Sequence, residues 1–258
     1  MLRVVNEFVD EKTLYRGKVL YVGNNELCMP AKAIDKSVFR VRGFLEELDR
    51  YREYRNFVVE LHFRARELEH LDMIEVSFNR FIDRFGGDFI YLGVVSIVRD
   101  FFISEISRNV NGYAEVIAEQ LLSSDVHVIS VPYIPYASGL GVRGAEFISK
   151  YVTFLKRVVE NLAAEREKVV MGILQDLSNM DYVLDLAKFY SSMDNIGFLG
   201  FNFDARVPSS VEPFLVSIFR ELNNLNVLDK FVYYALNVNK GRYVSSLNCI
   251  PARDVLVF

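Results

Sequence analysis

Polar side chains recur at the downstream ends of apolar runs: His62 and Arg64, Ser96 and Arg99, Tyr133 and Tyr136, Gln175 and Asp176, Asn202 with Asp204 and Arg206, and Asn237 with Asn239 and Lys240. Carboxamides offer a donor and an acceptor on one planar edge, and tyrosines can stack on a ring, so the set suits a neutral, planar, hydrogen-bonding ligand. Asn239, Lys240, Gly241 and Arg242 form a second candidate, a phosphate-binding turn, with a solvated basic turn as the plain alternative. Metal chemistry has no support in the spacing. His62, His70 and His127 are scattered, Cys28 and Cys249 stand alone, and no cofactor motif is present. His127 lies early in its apolar run, where a histidine satisfied within the core is the expected role.

These groups need elements that hold them on one face. Phe57 to Phe63, Phe89 to Ile97, Val126 to Val131, Lys168 to Leu174, Ile196 to Phe203 and Phe231 to Leu236 read as buried parallel strands. Within the first of these, Glu60 and His62 alternate with Leu61 and Phe63 and point to one side. Amphipathic helices are expected between the strands: 39 to 55, Leu68 to Phe85 ending at Gly86-Gly87, 104 to 122, 145 to 164, 180 to 193, and one opening after Ser209-Ser210. Adding a strand near Leu20 or Leu27 and a last one at Val255 to Phe258 makes eight. Eight strands separated by helices predict a (β/α)8 barrel lacking its last helix, spanning residues 1–258, with 1–30 as an N-terminal extension or hairpin. An open doubly wound sheet is the alternative, but Gly23-Asn24-Asn25-Glu26 does not supply its Gly-rich phosphate loop.

Composition bounds the partners. Half the residues are apolar (51%) and a quarter charged (25%), with no apolar run long enough to span a membrane, so the apolar surface belongs in a core or an interface. The acidic N-terminal stretch lacks a secretory signal and the cysteines are few, which fits a cytoplasmic protein. A formal net charge of -4 gives no overall attraction for nucleic acid. An eighth strand without a backing helix calls for an interface, hence a homo- or hetero-oligomer, unless the strand is simply unbacked or the chain is one domain of something longer.

Several segments together resemble the tRNA-guanine transglycosylase family, whose barrels exchange a guanine in tRNA for a deazaguanine base. Gly172-Ile173-Leu174-Gln175 is similar to that family's Gly-Ile-Val-Gln, Phe198 to Phe201 falls where it has a Gly-rich strand, and Tyr234 to Gly241 resembles its Leu-Met-Gly-Val-Gly strand. Arg253 to Phe258 falls on its Gly-Val-Asp-Met-Phe-Asp segment, and Tyr15 to Lys18 through Met29-Pro30-Ala31 on its opening hairpin. The resemblance implies a base exchange in which Asp254 attacks the ribose C1′ as guanine leaves, with Gln175 reading the base; the strand-end residues Asn202 and Asn237 and the basic Lys240 and Arg242 are the further substrate-site candidates. It implies tRNA reached through a partner subunit, because few basic residues lie near the site. The family's Asp-Ser-Gly-Gly segment has no counterpart in Phe89 to Asp100, Asp176-Leu177 replaces a glycine pair, and the zinc segment and RNA-binding domains are missing. The alternative is a noncatalytic barrel acting as a protein-binding or structural subunit.

Overall fold

A computed structural model describes residues 2–10, 15–22, 25–29, 32–35, 57–86, 89–137, 144–163, 168–206 and 208–237. Strands β1 (Leu2–Asp10), β2 (Tyr15–Val22) and β3 (Asn25–Met29) form an antiparallel sheet in the order β1-β2-β3. Seven further strands form a second, wholly parallel sheet. They are β4 (Lys32–Asp35), β5 (Phe57–Ala65), β6 (Ile90–Ile97), β7 (Val128–Ser130), β8 (Val169–Gln175), β9 (Ile196–Asn202) and β10 (Val232–Leu236). Their spatial order follows their chain order from β4 to β10. Because each strand lies beside the next one in the chain, the order never reverses and the sheet is wound in one direction only.

The helices are α1 (Leu68–Leu71), α2 (Ile74–Phe85), α3 (Arg99–Ser104), α4 (Val110–Ser123), α5 (Ala145–Leu162), α6 (Met180–Ser192) and α7 (Pro208–Asn224). Asn109 and Asn179 cap α4 and α6, accepting from the N–H groups of Gly112 and Asp181. The helix expected over Leu68 to Phe85 is broken at Asp72-Met73, and the stretch expected as one helix over 104 to 122 is the last residue of α3, a 3₁₀ turn at Ile106–Arg108 and then α4. The helix expected over 39 to 55 lies outside the described residues.

Alternate strand residues explain why the strands read as continuous apolar runs. Val59, Leu61, Tyr91, Val95, Val170, Leu174, Leu199 and Phe201 belong to the core shared with the helices. Their neighbours Val58, Ile90, Leu92, Val94, Val169, Met171, Ile173 and Phe198 form a separate core on the inner face. A parallel sheet buried on both sides has no polar face to produce alternation. Val22 and Leu27 of the antiparallel sheet join the inner core, closing it beside Val58, Ile90, Val128, Val169 and Val232. His127 fastens the same corner. The Tyr91 N–H donates to its Nδ1 at 3.1 Å, and its Nε2 lies 2.9 Å from Asn25 Nδ2; a neutral ring accepting at Nδ1 carries its proton on Nε2, which pairs with Asn25 only when the carboxamide is turned to present its oxygen. Burial, reinforced by the Lys168 ammonium, holds the His127 pKa below the usual histidine range.

The helix ends are tied down by a device that appears twice. Lys168, just before β8, donates to the Ser124 and Val126 carbonyls behind α4. Lys230, just before β10, donates to the Ser191 and Met193 carbonyls at the end of α6. Each ammonium satisfies carbonyls that a helix terminus leaves open and sits at the negative end of the helix dipole.

The closed eight-stranded barrel is corrected by this topology. The parallel sheet is an open half-barrel: among the described residues β10 and β4 are its edges and do not pair with each other. The strand placed near Leu20 or Leu27 belongs instead to the antiparallel sheet, and the first parallel strand is the short β4. The run Val255 to Phe258, expected to supply an eighth strand, lies outside the described residues. Repeated strand-helix units specify neighbour order and handedness, whereas closure requires a consistent shear and tilt around the whole circle. Among the described residues, no helix is long and apolar enough to cross a membrane.

Candidate functional site

The polar groups anticipated at strand ends do gather along one rim of the half-barrel, where β8, β9 and β10 end and the chain leaves β7. Asn202, Asp204, Asn237 and Tyr133 are joined there by hydrogen bonds. Asn202 Nδ2 donates to Asp204 Oδ1 at 2.8 Å, and the Asp204 N–H returns to Asn202 Oδ1 at 3.1 Å. Asn237 Nδ2 donates to Asn202 Oδ1 at 2.9 Å and to the Tyr133 hydroxyl at 3.0 Å. The Tyr136 N–H donates to Asp204 Oδ1 at 3.2 Å. The ends of β9 and β10 and the loop after β7 are thereby laced into one network.

Gln175, only 2% exposed, does a different job. Its Nε2 donates to the Ile134 carbonyl at 3.1 Å and its Oε1 accepts from the Tyr151 hydroxyl at 3.4 Å. Both ends of the carboxamide hold the loop after β7 against α5. Tyr151 was not legible as a site residue because it lies on a helix and carries its hydroxyl inward from an aromatic cluster with Phe102 and Phe147. Asp254, Lys240 and Arg242 lie outside the described residues, as does Asn239.

Backbone strain concentrates on the same rim. Of the six non-glycine residues with left-handed φ among those described, five are Tyr136 (57°), Ser178 (62°), Asp204 (47°), Ala205 (60°) and Asn237 (55°), all beyond the ends of β7 to β10. Each such residue costs on the order of 1 kcal/mol and persists only where its surroundings impose it. Asn and Asp adopt this geometry more readily than most residues, and here the Asn237 and Asp204 side chains are held by Asn202, Tyr133 and the Tyr136 N–H.

Two buried atoms on the rim lack a partner, Asp204 Oδ2 and Arg206 Nη2. Asp204 as a whole is 8% exposed, and burial raises its carboxyl pKa above the usual range against the opposing pull of the Tyr136 N–H, Asn202 and Arg206. Arg206 uses its other nitrogens on the Asp176 carboxylate, 3.0 Å away, and on the Phe203 carbonyl. Deeper on the inner face, the Tyr234 hydroxyl donates to Glu60 Oε1, and His62 Nε2 lies 2.9 Å from Glu60 Oε2. Glu60 and His62 do share one side of β5, as their alternation requires.

A pH-dependent prediction follows from Asp204. The folded protein keeps the Asp204 proton to a higher pH than the unfolded chain does, so the stability Asp204 contributes is full below its ordinary pKa of 3.8 and is lost as pH rises through the folded value. Asp204→Asn keeps an acceptor for Asn202 and Tyr136 but does not titrate. Thermal melts are expected to show the variant matching wild type at the acid end and melting above it at neutral pH. A difference that shrinks as pH rises would refute the assignment.

The transglycosylase reading is corrected on three findings. The sheet is open where that family's barrel closes, and among the described residues no group of three His, Cys, Asp or Glu side chains could hold a metal. Neither a protein-family model nor a curated protein matches the chain. Base exchange on tRNA and the transferase role that went with it are therefore withdrawn.

Proposed function

We propose that this chain is a noncatalytic half-barrel acting as a protein-binding or structural subunit, associating through the β10 edge of its parallel sheet. One observation carries the reading: β10 pairs with β9 on one side and with no described strand on the other. A strand edge is a row of backbone donors and acceptors that proteins cover or pair. The engagement of Gln175 by Ile134 and Tyr151, and of Asn202 and Asn237 by each other, Asp204 and Tyr133, supports the same view, since these amides brace the rim.

Register supplies the test. Leu236 gives its carbonyl to the Phe203 N–H, so the alternation of a parallel strand turns the Ala235 N–H toward the outer edge. Ala235→Pro removes that donor without touching the β9 ladder, as proline on an edge strand allows. Sedimentation velocity at micromolar concentration is expected to show species heavier than the 29.8 kDa monomer, or backbone-edge cross-links to a second protein in the native extract, and either is lost in Ala235→Pro. A chain that sediments only as the monomer and gives no cross-link sensitive to Ala235→Pro overturns the proposal.

A further inference from the structure

His127 joins the two sheets at one corner, and its hydrogen bonds there admit only one charge state. Its Nδ1 accepts the Tyr91 N–H at 3.1 Å, while its backbone N–H donates to the Tyr91 carbonyl at 3.0 Å. The ring thus serves as acceptor for a β6 backbone donor at the point where β7 begins. A neutral imidazole cannot accept at both nitrogens, so Nε2 carries the proton and faces Asn25, at the start of β3, with the carboxamide oxygen turned toward it. The Tyr91 ring lies alongside, within 18° of parallel and with centroids 6.0 Å apart.

Protonation at Nδ1 sets one N–H against another. The Tyr91 donor then loses its acceptor, and the ring has to rotate away, which carries Nε2 off Asn25 as well. The surroundings do not compensate. Lys168, ahead of β8, opposes a positive ring more than Asp125, exposed two residues upstream, favours one. β3 presents the uncharged Asn25, and β6 presents the Tyr91 phenol, which donates to the Gly86 carbonyl and whose pKa burial pushes up to about 12. Asn25 pairs with Val22 across β2 and β3, and Val22 and Leu27 belong to the inner core with Val58, Ile90, Val128, Val169 and Val232. What loosens Asn25 therefore loosens the cover of that core.

We propose that His127 is an acid-sensitive latch, which while neutral holds the antiparallel sheet against the upstream end of the half-barrel and on protonation releases Asn25, Val22 and Leu27 from the inner core. The latch lies within one chain, and its test does not depend on association through β10.

The test follows the full chain, with ¹⁵N-labelled histidine side chains, from about pH 7.5 to about pH 4.5, the range that brackets histidine titration. Hydrogen exchange in β2 and β3 is measured in parallel, as protection factors, so that the pH dependence of intrinsic exchange drops out. At neutral pH the His127 nitrogen shifts are expected to be those of the Nε2–H tautomer, with the ring titrating below the usual 6.5. The folded value lies under the unfolded one, so the contribution of the latch is full above 6.5 and is lost as pH falls through the folded value. Across that titration protection in β2 and β3 should fall about tenfold, the size of one lost hydrogen bond, while β8 and β9 stay unchanged. His127→Asn keeps a carboxamide acceptor for the Tyr91 N–H but does not titrate, and is expected to make the protection independent of pH. Asn25→Ala leaves the ring on Tyr91, and is expected to bring neutral protection down toward the acid value while the ring still titrates. The proposal is overturned if the neutral ring is the Nδ1–H tautomer, if the ring fails to titrate or titrates at 6.5 or above, if protection in β2 and β3 does not follow the titration, or if wild type and His127→Asn lose the same protection in acid.

Discussion

Tyr234→Phe is expected to lower the unfolding free energy by about 2–3 kcal/mol, the loss associated with a hydrogen bond to a charged group whose partner stays buried. Tyr234 lies on β10 and Glu60 on β5, with four strands between them in the sheet. In a flat sheet five strand spacings would separate them by roughly 24 Å. The hydroxyl-carboxylate contact therefore exists only because the half-barrel curves, and it ties one flank of the trough to the other. Burial and the Glu60 charge push the Tyr234 hydroxyl well above the usual tyrosine range, so it remains a donor throughout working pH. Glu60 has no spare solvation to fall back on, its side chain being 14% exposed with Oε2 already facing His62.

For a domain of this size the change corresponds to a fall in Tm of roughly 4–12 °C. Hydrogen exchange in β10 should quicken more than in β8, because β8 keeps neighbours on both sides. Glu60→Gln, which preserves an acceptor for Tyr234, is expected to lose less. A Tyr234→Phe variant within about 0.5 kcal/mol of wild type would show that the curvature has other sources.

The second large effect concerns Gly172, the first residue of the Gly-Ile-Leu-Gln segment. Gly172→Ala is expected to cost about 1–3 kcal/mol through overpacking. A Cβ at that position would sit 2.7 Å from Tyr190 Cδ2 and 2.9 Å from Cε2. Tyr190 cannot retreat easily, since its ring is fully buried between α6 and β8 and its hydroxyl donates to the Ile173 carbonyl. Gly200→Ala is the matched control. Its nearest contact is the Met171 thioether at 3.1 Å, the end of a flexible side chain, and most of the strain should relax. Urea denaturation of the two variants would separate them; equal losses would refute the packing argument. The glycine of this segment thus has a local packing reason, and the glutamine three residues later has a loop to hold.

Much of the fold is legible in local pattern. The runs from Phe57, Phe89, Lys168, Ile196 and Phe231 are strands because β-branched and aromatic residues on both faces suit a sheet buried on both sides. Gly86 marks the end of α2, as its place after the apolar period implies, through a hydrogen bond that spans only a few residues, whereas the caps at Asn109 and Asn179 came from the structure. The placement of polar residues after the strands follows from the same reading, since chain direction in a parallel sheet brings all those ends to one side.

Other features were decided by contacts that no local pattern encodes. The alternation around Leu20 and Leu27 looks alike in a barrel strand and in an antiparallel hairpin, and only pairing with Leu2 to Asp10 settles it. The four residues of β4 carry too little pattern to be recognised until Val58 and Val59 lie beside them. Whether Gln175, Asn202 and Asn237 face a ligand or one another depends on loops that fold back from β7 and β9, up to 104 residues away in the chain. Closure of the sheet is the extreme case. Residue type and period determine the strands and their order, because those are set by neighbours within a turn or two. Curvature is set by the register of every strand pair together and by single long-range contacts such as Tyr234 with Glu60, 174 residues apart, so only the tertiary structure could distinguish a half-barrel from a closed one.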